Sequence, residues 1–220
     1  MIKNIIFDFD GVLVDSEILA RKAFSRYLYS HDIHLSELEF SKKYSGNKLT
    51  HVVSKICSRF NIEDKNKLLE EIMSIAQKIY NEELKPVHGV ENFLEISNHN
   101  KFIGSNRGKI SILEVLSNTN LIKYFPEKNI FSFDMVDKPK PEPDIYLKTI
   151  IDNNLKKNET IVLEDSIIGV QSSIAAGIKV VGITAGGHWT DRSSQSLIDA
   201  GAFCVASSFK DVIKILKNYD

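Results

Sequence analysis

The feature that most constrains the fold of this 220-residue chain is a rhythm of short apolar runs separated by helix-period stretches. The runs are NIIFDF (4 to 9), KFIGS (101 to 105), NIFSF (129 to 133), TIVLE (160 to 164) and KVVGIT (179 to 184), each of strand length and rich in β-branched or aromatic residues. Between them lie VENFLEIS, ISILEVLS, PDIYLKTIIDNN and IGVQSSIAAG, whose apolar residues recur at helical spacing. Strand alternating with helix predicts an α/β fold: a parallel sheet covered by helices on both faces.

Residues 16 to 86 break the rhythm. EILARKAFSRYLYS, LTHVVSKICSRF and KLLEEIMSIAQKIYNEEL are all helix-period, and no strand candidate separates them. The segment closes at Lys85-Pro86, where proline disfavours a helix at the residue before it. The expected organisation is a sheet domain of residues 1–15 plus 87–220, interrupted by an all-helical insert of residues 16–86.

The first run ends in two aspartates, Asp8 and Asp10, with Gly11 behind them. A bare carboxylate at the end of a buried strand costs several kcal/mol or more unless something compensates it. In open α/β sheets, ligands bind at the carboxyl ends of the strands. Three further runs lead to chemistry-bearing residues there: Ser105 and Asn106 close the second, Lys140 follows the third, and Glu164 and Asp165 close the fourth. Acidic groups, hydroxyl and amide donors and one cation suit Mg²⁺ together with a phosphate, because Mg²⁺ takes hard oxygen ligands and relieves the repulsion between converging carboxylates. Asp8 and Asp10 are one strand period apart, so an extended chain points both the same way. One can attack phosphorus while the other exchanges a proton with the leaving oxygen and then with water.

Each residue also has a plainer reading. Ser105 and Asn106 are a common turn signal, Glu164 to Ser166 could simply start a helix, and Lys48 and Arg107 could be surface charges. Lys138 competes with Lys140 in KPKPEP, and the spacing to Asp144 and Tyr146 favours Lys140. Gly186, Gly187, His188 and Trp189 could line a pocket or form a plain loop.

Four segments in order resemble the haloacid dehalogenase superfamily of phosphotransferases: DFDGVLVDS from Asp8 to Ser16, Ser105 in FIGSN, Lys140 to Tyr146 in KPEPDIY, and Glu164 to Gly169 in EDSIIG. The resemblance implies a Rossmann-like, doubly wound parallel sheet core with the helical insert as a cap. It implies that Asp8 is nucleophile and Mg²⁺ ligand, and that Asp10 is acid/base and lends its backbone carbonyl to the metal. Asp165 would be the third protein ligand, and Glu164 a direct or water-mediated one. Ser105, Asn106 and Lys140 would bind the phosphoryl group. The position of the insert matches the phosphatase and beta-phosphoglucomutase subgroup, in which Lys48 of YSGNKLT corresponds to a cap-loop substrate contact. The mutase has a histidine on its first cap helix where this chain has Ala20 in SEILARK.

The expected function is a Mg²⁺-dependent phosphatase for a small phosphorylated metabolite, a sugar or sugar-acid phosphate, working through an aspartyl-phosphate. The alternatives are a phosphomutase and a non-catalytic binding member. A net charge of −1 gives no electrostatic footprint for nucleic acid, and no apolar run is long enough to span a bilayer. The two cysteines, Cys57 and Cys204, form no disulfide framework or metal motif, which fits a reducing, cytoplasmic setting. A monomer or weak dimer is expected.

Overall fold

A computed structural model describes residues 1–44, 49–189 and 193–218. The chain divides into two compact units, Met1–Asp15 with Lys85–Asp220, and Ser16–Leu84.

The first unit is built on a parallel sheet of six strands: β1 (Asn4–Phe7), β2 (Asn100–Ser105), β3 (Ile130–Ser132), β4 (Thr160–Glu164), β5 (Lys179–Ile183) and β6 (Cys204–Ala206). Their order across the sheet is β3-β2-β1-β4-β5-β6. Each of the five runs read as strands forms one. β6 is additional: three half-buried or buried residues at a sheet edge are too few to show a period.

The central strand is apolar on both sides because both faces are covered. Ile6 lies level with Phe102 of β2 and Val162 of β4, and these three join Phe131, Ile145, Tyr146 and Val180 in one buried cluster. Phe7 points the other way and meets the rings of Phe93 and Phe125 edge-on, at centroid separations of 6.1 and 5.7 Å.

Among the described residues, four helices occupy the second unit: α1 (Ser16–Ser30), α2 (Glu37–Tyr44), α3 (Leu49–Phe60) and α4 (Lys65–Glu83). Leu19, Phe24, Phe40, Val53, Ile56, Leu68 and Ile79 form a separate buried core. The short α2 has no strong sequence period, but its start carries a reciprocal cap. Ser36 N–H donates to Glu39 Oε2 at 3.1 Å, and Glu39 N–H to Ser36 Oγ at 3.3 Å. At α4 the Asp64 carboxylate accepts from Lys67 N–H at 2.9 Å.

The remaining described helices belong to the first unit: α5 (Val90–Ile96), α6 (Lys109–Asn118), α7 (Asp144–Asp152), α8 (Ile167–Ala175), α9 (Gln195–Asp199) and α10 (Phe209–Lys217). After β1 the chain turns sharply at Gly11, whose φ of +79° is a conformation that glycine adopts without strain. It then runs beside the returning chain: Asp15 N–H donates to Lys85 C=O at 3.0 Å, and Val87 N–H to Leu13 C=O at 3.0 Å. The chain thus leaves and re-enters this unit at one place. Among the described residues no helix is long and apolar enough to cross a membrane.

Candidate active site

The strand order places the ends of β1, β2 and β4 side by side, and the predicted residues gather there. Asp8 follows Phe7, the last residue of β1, and its N–H still donates to Leu163 C=O of β4 at 2.9 Å. The Asp8 carboxylate therefore lies next to the end of β4, where Glu164 and Asp165 stand. Asp8, Glu164 and Asp165 each offer a carboxylate oxygen, and the three atoms lie within 4.8 Å of one another.

Lys140 holds this acidic group together. Its Nζ donates to Asp8 Oδ1 at 2.7 Å and to Glu164 Oε1 at 2.5 Å. Lys140 is buried while Lys138 is exposed, which resolves the choice between them on contact geometry. The Lys140 loop is itself tied to the β2 loop. The Asn106 side chain accepts from Lys140 N–H at 2.9 Å and donates to Lys140 C=O at 3.1 Å. Both polar ends of the Asn106 amide thus grip the lysine backbone, a task that its sequence position did not signal.

Glu164 is fully enclosed. Oε1 also accepts from the Tyr146 hydroxyl at 2.8 Å, and Oε2 accepts from Ser166 N–H and Oγ at 3.1 and 2.9 Å. Space for this carboxylate exists because residue 169 of α8 is glycine: a Cβ there would stand 1.7 Å from Oε1. A similar limit holds at Gly11, where a Cβ would lie 1.9 Å from Asp165 Oδ2.

Electrostatics follow from this packing. Burial pushes the Asp8 carboxyl well above the usual aspartate range; the Glu164 charge adds to the rise, and Lys140 opposes it. Burial alone would pull the Lys140 ammonium down, yet the Asp8 and Glu164 charges lift it above its ordinary value. Tyr146 is driven well up, first by burial and then by Glu164, so it stays a hydrogen-bond donor. The balance is one ammonium against three close carboxylates. That excess of negative charge on hard oxygen atoms is a donor set that fits a divalent cation such as Mg²⁺.

One predicted side chain faces elsewhere. The Asp10 carboxylate is not in the acidic trio; it pairs with Arg107, whose Nε and Nη2 reach Oδ2 and Oδ1 at 2.9 and 2.6 Å. Lys48 lies outside the described residues. Ser105, at the end of β2, is buried, and its Oγ accepts from Arg107 N–H at 3.0 Å.

The loop after β5 is part of the site, a role its glycine-rich sequence left open. His188 is buried and its Nε2 lies 2.9 Å from Asp165 Oδ2. Gly187 N–H donates to both oxygens of Asp15, at 3.1 and 3.0 Å, which fastens this loop to the one after β1.

Comparisons with known proteins bear on the family. The chain is 28% identical over 224 residues to a phosphorylated carbohydrates phosphatase of Thermotoga maritima, covering 97% of each chain. It is 25% identical over 188 residues to the 6-phosphogluconate phosphatase of Escherichia coli, covering 85% of each. In three dimensions it resembles a conserved haloacid dehalogenase-like protein of unknown function from Agrobacterium tumefaciens, with a TM-score of 0.89 and 29% identity over 100% of this chain and 99% of that one. The family profile of the haloacid dehalogenase-like hydrolases matches residues 5–183, and the chain belongs to that family.

Proposed function

We propose that this hydrolase is a Mg²⁺-dependent phosphatase that releases inorganic phosphate from a small phosphorylated metabolite, a sugar or sugar-acid phosphate. The observation that carries the reading is the Lys140 ammonium shared between Asp8 and Glu164 beside Asp165, at the carboxyl ends of β1 and β4. A nucleophile, a phosphate-binding cation and an acidic metal site need to be within a few ångströms of one another for phosphoryl transfer to be a matter of positioning and charge. The names of the two phosphatase relatives support the same class and favour sugar phosphates as substrates.

Asp8, Asp165 and the Asp10 backbone carbonyl would hold the metal. Glu164, with both carboxylate oxygens engaged by Lys140, Tyr146 and Ser166, acts on it through position and charge. When bound, Mg²⁺ supplies positive charge to the phosphoryl oxygens and to the Asp8 carboxylate. Lys140 and Ser105 carry the phosphoryl group. An Asp8 oxygen bonds to phosphorus while the bond from phosphorus to the substrate oxygen breaks, and Asp10 gives that oxygen its proton. Water then attacks phosphorus, Asp10 takes the water proton, and the Asp8–phosphorus bond breaks to release phosphate.

The test is a screen of phosphorylated metabolites with Mg²⁺, reading phosphate release, with Asp8→Asn as control. Release by the wild type that is lost in Asp8→Asn, with the variant still unfolding cooperatively, is the expected result. Undiminished release from Asp8→Asn would sink the mechanism, and isomerisation of a hexose 1-phosphate without phosphate release would favour a mutase.

A further inference from the structure

Arg107 has the least obvious place in the site. Its guanidinium meets the Asp10 carboxylate through two bonds, Nε to Oδ2 at 2.9 Å and Nη2 to Oδ1 at 2.6 Å. A two-point contact of this kind fixes the plane of a carboxylate as well as its position, which a lysine cannot do. The arginine is in turn held from three sides. Nη1 donates to Ser111 Oγ of α6 at 3.0 Å, the guanidinium carbon lies 5.7 Å from the centre of the Phe9 ring, and the backbone N–H donates to Ser105 Oγ at 3.0 Å. The orientation of Asp10 is therefore inherited from the loop between β2 and α6, which follows directly on Ser105.

We propose that Arg107 is a positioning residue for proton transfer: it aims the Asp10 carboxylate at the leaving oxygen and ties that aim to the loop that follows the phosphoryl-binding Ser105. This rests on the reading of Asp10 as the acid/base. The pair is partly solvated, with side-chain exposures of 20% for Arg107 and 27% for Asp10, so its loss leaves the fold intact. What is lost is alignment, and misalignment of an acid slows the step that uses its proton.

The prediction separates substrates by how much they need that proton. An alkyl phosphate leaves as a strongly basic alkoxide and requires it; a nitrophenyl phosphate leaves as a stable phenolate and does not. In single-turnover release of the leaving group with Mg²⁺, Arg107→Ala should slow the alkyl substrate about tenfold to a hundredfold and the nitrophenyl substrate less than about twofold. KM should change little. Arg107→Lys, which retains the charge without the fork, should recover only part of the alkyl rate, and both variants should unfold within a few degrees of the wild type. Equal losses on both substrates, a rise in KM with unchanged kcat, or full recovery by lysine would each overturn the proposal. The Asp8→Asn variant keeps the two questions apart: if it still turns over, the phosphatase mechanism itself falls, whatever Arg107 does.

Discussion

Lys140 and Glu164 form an ion pair of 2.5 Å that solvent barely reaches, with side-chain exposures of 2% and 0%. Asp8 shares the same ammonium at 2.7 Å, so one cation serves two carboxylates. Neither carboxylate can be left alone there without a large desolvation penalty, which makes the site a structural element as well as a chemical one.

Lys140→Met tests this directly. It keeps an aliphatic stem and removes the charge, leaving Asp8 and Glu164 uncompensated, and should lower unfolding free energy at neutral pH by about 3–5 kcal/mol in urea titrations. The sign of the pH dependence follows from Asp8, whose carboxyl burial already holds well above its ordinary value. An acid whose pKa is raised on folding destabilises the protein in full above the folded value, and the penalty fades as pH falls from there toward the ordinary, unfolded value. The deficit of the variant should therefore shrink on acidification. A loss under about 1 kcal/mol at neutral pH would contradict the assignment.

Gly169→Ala should reverse the usual trend. In a helix, alanine is favoured over glycine by about 1 kcal/mol. Here the new Cβ would sit 1.7 Å from Glu164 Oε1 and 1.9 Å from its Cδ, so the carboxylate must move off Lys140 or α8 must shift. A fall in melting temperature is expected, accompanied by a fall in kcat, since the lysine loses its partner. A more stable variant would show that the glutamate is not fixed where it is seen.

His188→Gln concerns the proposed metal site. The imidazole Nε2 lies 2.9 Å from Asp165 Oδ2, and groups that orient a ligand in this way change metal affinity about 10–100-fold when replaced. Calorimetric titration of the metal-free protein with Mg²⁺ should show that weakening. A second readout is thermal: Mg²⁺ at about a hundred times its Kd should stabilise the wild type by about 2.7 kcal/mol, and the variant by less at the same concentration. An unchanged Mg²⁺ isotherm would remove His188 from this role.

Asp211 offers a test far from the site. At the start of α10, its carboxylate accepts from the Lys214 ammonium, the Ser207 hydroxyl and the Ser208 hydroxyl, and its pKa is pulled down to about 2. A depressed folded value means that the contribution is present above the ordinary aspartate range and is lost as pH falls toward about 2. The melting temperature of Asp211→Asn should lie below that of the wild type at neutral pH, with the gap closing in acid. A gap that widens on acidification would refute these carboxylate contacts.

Much of this architecture was legible because the residues that build it obey strong local rules. TIVLE reads as a buried strand from its branched side chains, and the structure has β4 at Thr160–Glu164. β6 and α2 were not legible, since three residues at an edge and eight with a mixed pattern give no period to detect. Asp8, Glu164, Asp165 and Lys140 could be picked out because strand ends in a parallel sheet converge. Arg107 could not be, and His188 only as one of four loop residues that could line a pocket. A charged residue after a strand and a histidine in a glycine-rich loop have no local signature, and their roles come from partners 97 and 23 residues away, Asp10 and Asp165.

The strand order has a consequence for biogenesis. Asp8 is made 132 residues before Lys140, and at usual translation rates the interval is on the order of ten seconds. During that time the first aspartates have neither their cation nor the neighbouring strand β4, which enters the sheet beside β1 only after Thr160 to Glu164 have been synthesised. On the proposed mechanism the growing chain therefore has no complete site until β4 and Asp165 have been made.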